Sequence, residues 1–185
     1  MLEDVPGIEA TTIEPDQIDV QVSSGMLVPR AQNVQELIDR SQIIVVGTVA
    51  SVSREFMLGG YDENGLTFAA ETEEDGTPFT DYVVVIEQLL KGDGVVVEGG
   101  TFTLRLFGHG NPSGTQILSV QPGLPELGES LVLALGTKPD GTYGSGPDGL
   151  IEIDSGRPVF IDGRPFPGAM GAGEFISAIA EAVAN

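Results

Sequence analysis

The chain has 185 residues, with no cysteine, no tryptophan and a single histidine, His109. Without cysteine there can be no disulfide framework, no thiolate-bound zinc or iron–sulfur cluster and no cysteine nucleophile. Bases are scarce too: eight lysines and arginines stand against 28 aspartates and glutamates, a formal charge of −20. A nucleic-acid binder needs a basic surface to displace phosphate counterions, so this composition argues against nucleic acid as a partner. Apolar runs such as Ile43-Ile44-Val45-Val46 fall far short of the roughly 20 residues that span a bilayer. The first residues, Met1-Leu2-Glu3-Asp4, carry no basic region and no apolar stretch of the signal-peptide kind. The chain is expected to be either cytosolic or a mature secreted, extracellular domain whose signal segment has been removed, and its high acidity and few lysines favour the second.

The chain is 41% hydrophobic with a mean hydropathy of +0.12, enough to build a core rather than a disordered tail. Glycine (26) and proline (12) make up about a fifth of it, which favours short strands joined by turns over long helices. Residues 1–32 form an acidic N-terminal arm, with six acids before the first base, Arg30. Inside the arm, Ile18-Asp19-Val20-Gln21-Val22 alternates like a strand that could pair along a sheet edge, its own or a neighbour's. From 33 to 185 the pattern is that of one domain.

Asn33 caps a short helix with Glu36 at its third position and Val34, Leu37 and Ile38 on one face. A β-branched strand follows from Ile43 to Arg54, bent at Gly47. An excursion over 55–80 holds a hairpin turn at Asn64-Gly65. A second long strand, Thr80 to Leu90, places Tyr82, Val84 and Ile86 on one face and Val83, Val85 and Leu89 on the other, and two apolar faces imply a central position. Val95-Val96-Val97 reads as a short strand. Thr101 to Phe107 alternates, with Phe102, Leu104 and Leu106 inward and Thr103 and Arg105 outward. Gly108 to Gly114 is a loop, Ile117 and Val120 an edge piece, and Leu131 to Leu135 another strand. Tyr143 starts a weak return. Leu150 to Ile153 and Pro158 to Ile161 form a terminal pair. Gly173 to Ala184 is an amphipathic helix lined by Phe175, Ile176, Ile179, Ala180 and Val183. The expected fold is mainly β: six to eight antiparallel strands closed into a barrel, which removes exposed edges, with a short helix before the first core strand and a helix at the C-terminus.

Three segments carry a resemblance. They are Glu36 to Val49, a helix running straight into a strand; a strand ending Leu90-Lys91-Gly92-Asp93; and Leu127-Gly128-Glu129-Ser130-Leu131-Val132-Leu133-Ala134-Leu135. So spaced, they resemble exported bacterial domains of mostly unknown function that carry an OB-like β-barrel, similar to the tissue-inhibitor-of-metalloproteinase and netrin-type fold. The resemblance spans 33 to 184 and implies a fold and an exported location, with no functional residue carried over. The inhibitors of that fold act through an N-terminal cysteine, which this chain lacks.

Few residues suggest chemistry. His109, in Gly108-His109-Gly110-Asn111, is the one candidate base, but no G-x-S-x-G elbow accompanies it. Asp62, Glu63, Glu71, Glu73, Glu74 and Asp75 offer hard oxygens of the kind calcium takes, yet their spacing misses the EF-hand pattern, and a charged, solvated hairpin explains them equally well. Paired carboxylates for glycoside hydrolysis lack the aromatic platforms of a sugar cleft. The glycine-rich pieces Gly92–Gly100 and Gly108–Gly114 lack the Lys-Ser/Thr ending of a phosphate loop. No catalytic or cofactor-binding residue is assigned. The expected function is a non-enzymatic extracellular module that binds a protein partner or self-associates. The alternative is a structural subunit of an assembly or filament, joined when the N-terminal arm adds a strand to the next subunit.

Overall fold

The computed structural model describes residues 31–59, 71–72, 76–92, 94–108, 124–138, 140–145, 149–153, 155–168 and 170–185. Residues 1–30, His109 and the pieces around Ile117 and Asn64-Gly65 lie outside the described residues.

Helix α1 spans Val34–Arg40. The Asn33 side chain accepts from the Glu36 backbone N–H at 2.9 Å, and Glu36 Oε2 accepts from Gln32 N–H at 2.9 Å. These caps satisfy donors that a short helix cannot satisfy internally. At the other end, Lys91 Nζ donates to the carbonyls of Ile38 and Ser41 at 2.7 and 2.6 Å.

The run after Ser41 is β-branched and forms β1, Ile43–Leu58. The remaining strands are β2, Glu71–Thr72; β3, Thr77–Lys91; β4, Thr101–Phe107; β5, Ser130–Thr137; β6, Tyr143–Gly144; β7, Leu150–Glu152; and β8, Val159–Phe160. Helix α2 spans Ala172–Ala184. Strand β1 pairs with β3 along its length and with β5 over Ile43–Thr48. β3 pairs with β4, β4 with β6, and β6 with β5, so five strands close a ring. The terminal pair expected from sequence is β7 with β8, attached to the outside of β5.

The expected all-antiparallel sheet is corrected in one place: β4 and β6 run parallel, meeting at Leu104↔Tyr143. The reason is parity. Five strands cannot alternate direction all the way round a closed ring, so one neighbouring pair must run the same way. The Val95–Val97 strand is also absent. Those residues belong to an irregular connection that turns at Gly94 and Gly99, both at positive φ, and only Val96 is buried.

Two cores result. Alternate residues of the ring point inward, among them Val45, Tyr82, Val84, Leu104, Leu131 and Leu133. A second core lies between the helices and the outer face of β1 and β5, where Ile44, Val46, Val132 and Ala134 meet Leu37, Ile38, Phe160, Phe166, Phe175 and Ile179, with Ala31 also buried there. β3 is central by pairing, as expected, but its second face is not fully covered: Val85 is exposed and Val83 and Leu89 are half-buried. The strands covered on both faces are β5 and the first half of β1. Along α2, Val183 is exposed, so the buried stripe expected from sequence stops short of the last turn. No helix among the described residues is long and apolar enough to cross a membrane.

Gly47 bends β1 as expected, at a register shift against β3. A Cβ placed there would lie 2.8 Å from both Val84 Cγ1 and the Val85 carbonyl oxygen. Since a backbone atom cannot swing aside, Gly47→Ala is expected to lower stability by about 1–3 kcal/mol, the usual range for overpacking. The urea midpoint measures this, with the slope unchanged.

Candidate functional site

A row of charges crosses the outside of the ring. Arg54 on β1 stands opposite Asp81 on β3, and Asp81 stands opposite Arg105 on β4. Arg105 grips Asp81 with both arms, Nε to Oδ1 at 2.7 Å and Nη2 to Oδ2 at 2.8 Å. Such a fork adds orientation as well as attraction. Arg54 Nε reaches Asp81 Oδ2 at 3.0 Å, and its Nη1 reaches Glu71 Oε1 at 2.6 Å. Arg105 Nη1 donates to Asp140 Oδ2 in the turn between β5 and β6. Asp81 is 3% exposed and Arg105 9%.

Aromatic rings shield the row. The guanidiniums of Arg54 and Arg105 lie 4.1 and 4.8 Å from the Phe56 ring centre, within cation–π range. Phe56 stacks on Phe79, which meets Phe107 edge-on. Lys138 Nζ lies 5.5 Å from the Phe79 ring.

The electrostatics follow from this packing. Burial pushes the Asp81 carboxyl upward, but hydrogen bonds from Arg105 and Arg54, together with their charges, outweigh it and hold the group below its ordinary value. Asp140 is likewise lowered: its two hydrogen bonds from Thr142 and the charge and hydrogen bond of Arg105 overcome a desolvation that raises it. Tyr82, inside the ring, is raised by burial and then by Glu55. The row is therefore a set of ionised partners satisfied by one another. The Arg105–Asp140 link ties β4 to the β5–β6 turn, where the parallel seam has one described residue pair.

Beside the seam lies an open groove of about 390 Å³. One wall is the 95–97 connection, the other is Asp140–Tyr143, and the floor is Thr101–Thr103. Val95 and Val97 are 76% and 63% exposed on the first wall. Over Thr101–Thr103, β4 has β3 on one edge, whereas the described contact with β6 on the other begins at Leu104. Ladder bonds in an antiparallel pair fall on every second residue. Ile86 N donates to Gly100 O at 2.9 Å and Gly108 N to Pro78 O at 2.8 Å, which sets the phase. The backbone polar groups of Thr101 and the N–H of Thr103 therefore face the groove side, while the Thr103 carbonyl is the acceptor that the parallel Leu104↔Tyr143 pairing uses.

Of the residues singled out from sequence, Glu71 is described, and it pairs with Arg54. Asp62, Glu63, Glu73, Glu74, Asp75 and His109 lie outside the described residues. Among the described residues no three metal-ligating side chains come together. Sequence reasoning placed Arg105 outward but missed the row. The signal was Asp81 within Phe-Thr-Asp-Tyr-Val and Arg105 within Leu-Arg-Leu, charges embedded in core strands of a chain with few bases. No family model matches the chain and no curated protein matches it, so functional inference rests on this geometry.

Proposed function

We infer that this protein is a non-enzymatic, extracellular binding module on an OB-like barrel, and that it takes an extended segment of a protein partner along the edge of β4 before Leu104, which no described strand covers. Support for the OB-like assignment is the ring order β1-β3-β4-β6-β5 with its one parallel pair, flanked by a helix on either side in sequence. The observation that carries the binding assignment is the strand edge at Thr101–Thr103 beside two exposed valines. An edge of this kind supplies main-chain hydrogen bonds, and flanking apolar side chains supply selectivity. The chain's charge of −20 favours protein over nucleic acid as the occupant.

A displayed library of random peptides selected on the full chain tests this. The selected peptides should alternate apolar and polar residues, and Thr103→Pro should abolish their binding. Proline there removes the edge-facing N–H while leaving the β3 ladder intact. Failure to select peptides, or equal binding to the Thr103→Pro protein, overturns the assignment.

The same edge also favours a second reading, an assembly subunit that receives residues 18–22 of another copy. In that case the full chain self-associates in sedimentation, and either Thr103→Pro or removal of residues 1–28 returns it to monomer. A monomeric full chain removes this second reading.

A further inference from the structure

The chain has two lysines, Lys91 and Lys138, and their ammonium groups are held in opposite ways. Lys91 Nζ donates to two carbonyls at the end of α1, at 2.7 and 2.6 Å. Lys138 follows β5, anchored by its backbone N–H to Thr142 O at 2.8 Å. Its stem crosses Gly144 so closely that a Cβ there would run into Cε and lie 3.2 Å from Nζ. Nζ is thereby carried over the Phe79 ring. Among the described residues no acceptor takes a hydrogen bond from it.

The carboxylates close by are already engaged. Asp140 accepts from Thr142 and Arg105. Asp81 accepts from Arg105 and Arg54. Arg105 adds a like charge, and Phe79 and Gly144 present no anion. We propose that Lys138 is a modification site, the lysine of this chain that accepts an acyl group from an activated acyl donor such as a thioester or an activated ester.

The chemistry is balanced without further reagents. The Nζ lone pair forms a bond to the acyl carbon, the bond from that carbon to the leaving sulfur or oxygen breaks, and the proton lost from Nζ passes to solvent. Burial, first, and the charge of Arg105 weaken the hold of Lys138 on its proton, more than Asp140 and Asp81 strengthen it, so free amine is present at lower pH than for an ordinary lysine. The amide is neutral, which removes one positive charge from beside Arg105 and Asp140, the second of which lies in one wall of the groove. Acylation therefore makes that wall more negative while relieving a desolvated cation.

The test uses the full chain with a sub-stoichiometric N-hydroxysuccinimide ester of acetic acid, the two lysines being quantified by mass spectrometry of proteolytic peptides. Lys138 should acylate several-fold faster than Lys91 in the folded protein, with its rate rising at lower pH than that of a lysine peptide. In concentrated urea the two rates should converge, showing that the fold makes the difference. A folded-state ratio at or below one, or a ratio unchanged by urea, overturns the assignment.

Discussion

Asp81→Ala is expected to destabilise the protein by about 3–5 kcal/mol, the range for breaking a buried ion pair from one side. The expected loss does not equal the worth of the pair. It arises because Arg105, with its side chain 10% exposed, keeps its charge when both arms of its fork lose their acceptor. Asp140 remains as a partner for Nη1 alone. Replacing both partners, as Asp81→Leu with Arg105→Met, removes the stranded charge together with the carboxylate. That double variant should recover most of the loss, as apolar replacements of buried pairs often do. Urea unfolding of the two single variants and the double variant completes the cycle. If the double variant is no more stable than Asp81→Ala, the row is not acting through buried charge.

The same residue gives the protein an acid limb. The folded-state affinity of Asp81 for a proton is lowered, so folding favours its ionised form. That contribution is fully present above the unfolded carboxylate value, about pH 4, and is lost as pH falls through the lower folded value. Asp140 acts with the same sign. Wild-type stability should therefore fall below about pH 4, and the fall should be shallower in Asp81→Asn, in which that carboxylate no longer titrates.

Phe175→Ala is the second large effect, with an expected loss of about 3–5 kcal/mol, as for other fully buried phenylalanines. Phe175 is fully buried and lies 4.7 Å from the Phe166 ring, which lies 5.5 Å from Phe160. These rings pin α2 onto the second core, beside α1 and the end of β3. The helix has few other anchors, Ile179 being its second buried residue. Truncation therefore leaves a cavity and loosens the helix. A lower denaturant slope together with reduced far-ultraviolet helix signal would show α2 detaching before the ring unfolds. Unchanged stability would mean that the second core is not what holds α2.

Much of the architecture was legible because period-two patterning survives in a single sequence. Phe102, Leu104 and Leu106 point inward and Arg105 outward, as alternation requires. Asn33 caps α1 and Gly47 bends β1, since each answers to local stereochemistry. The valines at 95–97 misled because β-branched residues favour strands only where a partner strand is available, and glycines on either side turn this segment away from one.

What the sequence determined by itself was the class of fold: short alternating strands, a helix at each end of the domain, and a composition without thiols and rich in acids. Only the tertiary structure decided how the ring closes, because pairing partners are set by contacts distant along the chain and parity forces one parallel seam into a ring of five. It alone brought Arg54, Asp81, Arg105, Asp140 and Lys138 together from four separate stretches. Charges so far apart in sequence have no local pattern to betray them, and their partnership exists only once β1, β3, β4 and the β5–β6 turn lie side by side.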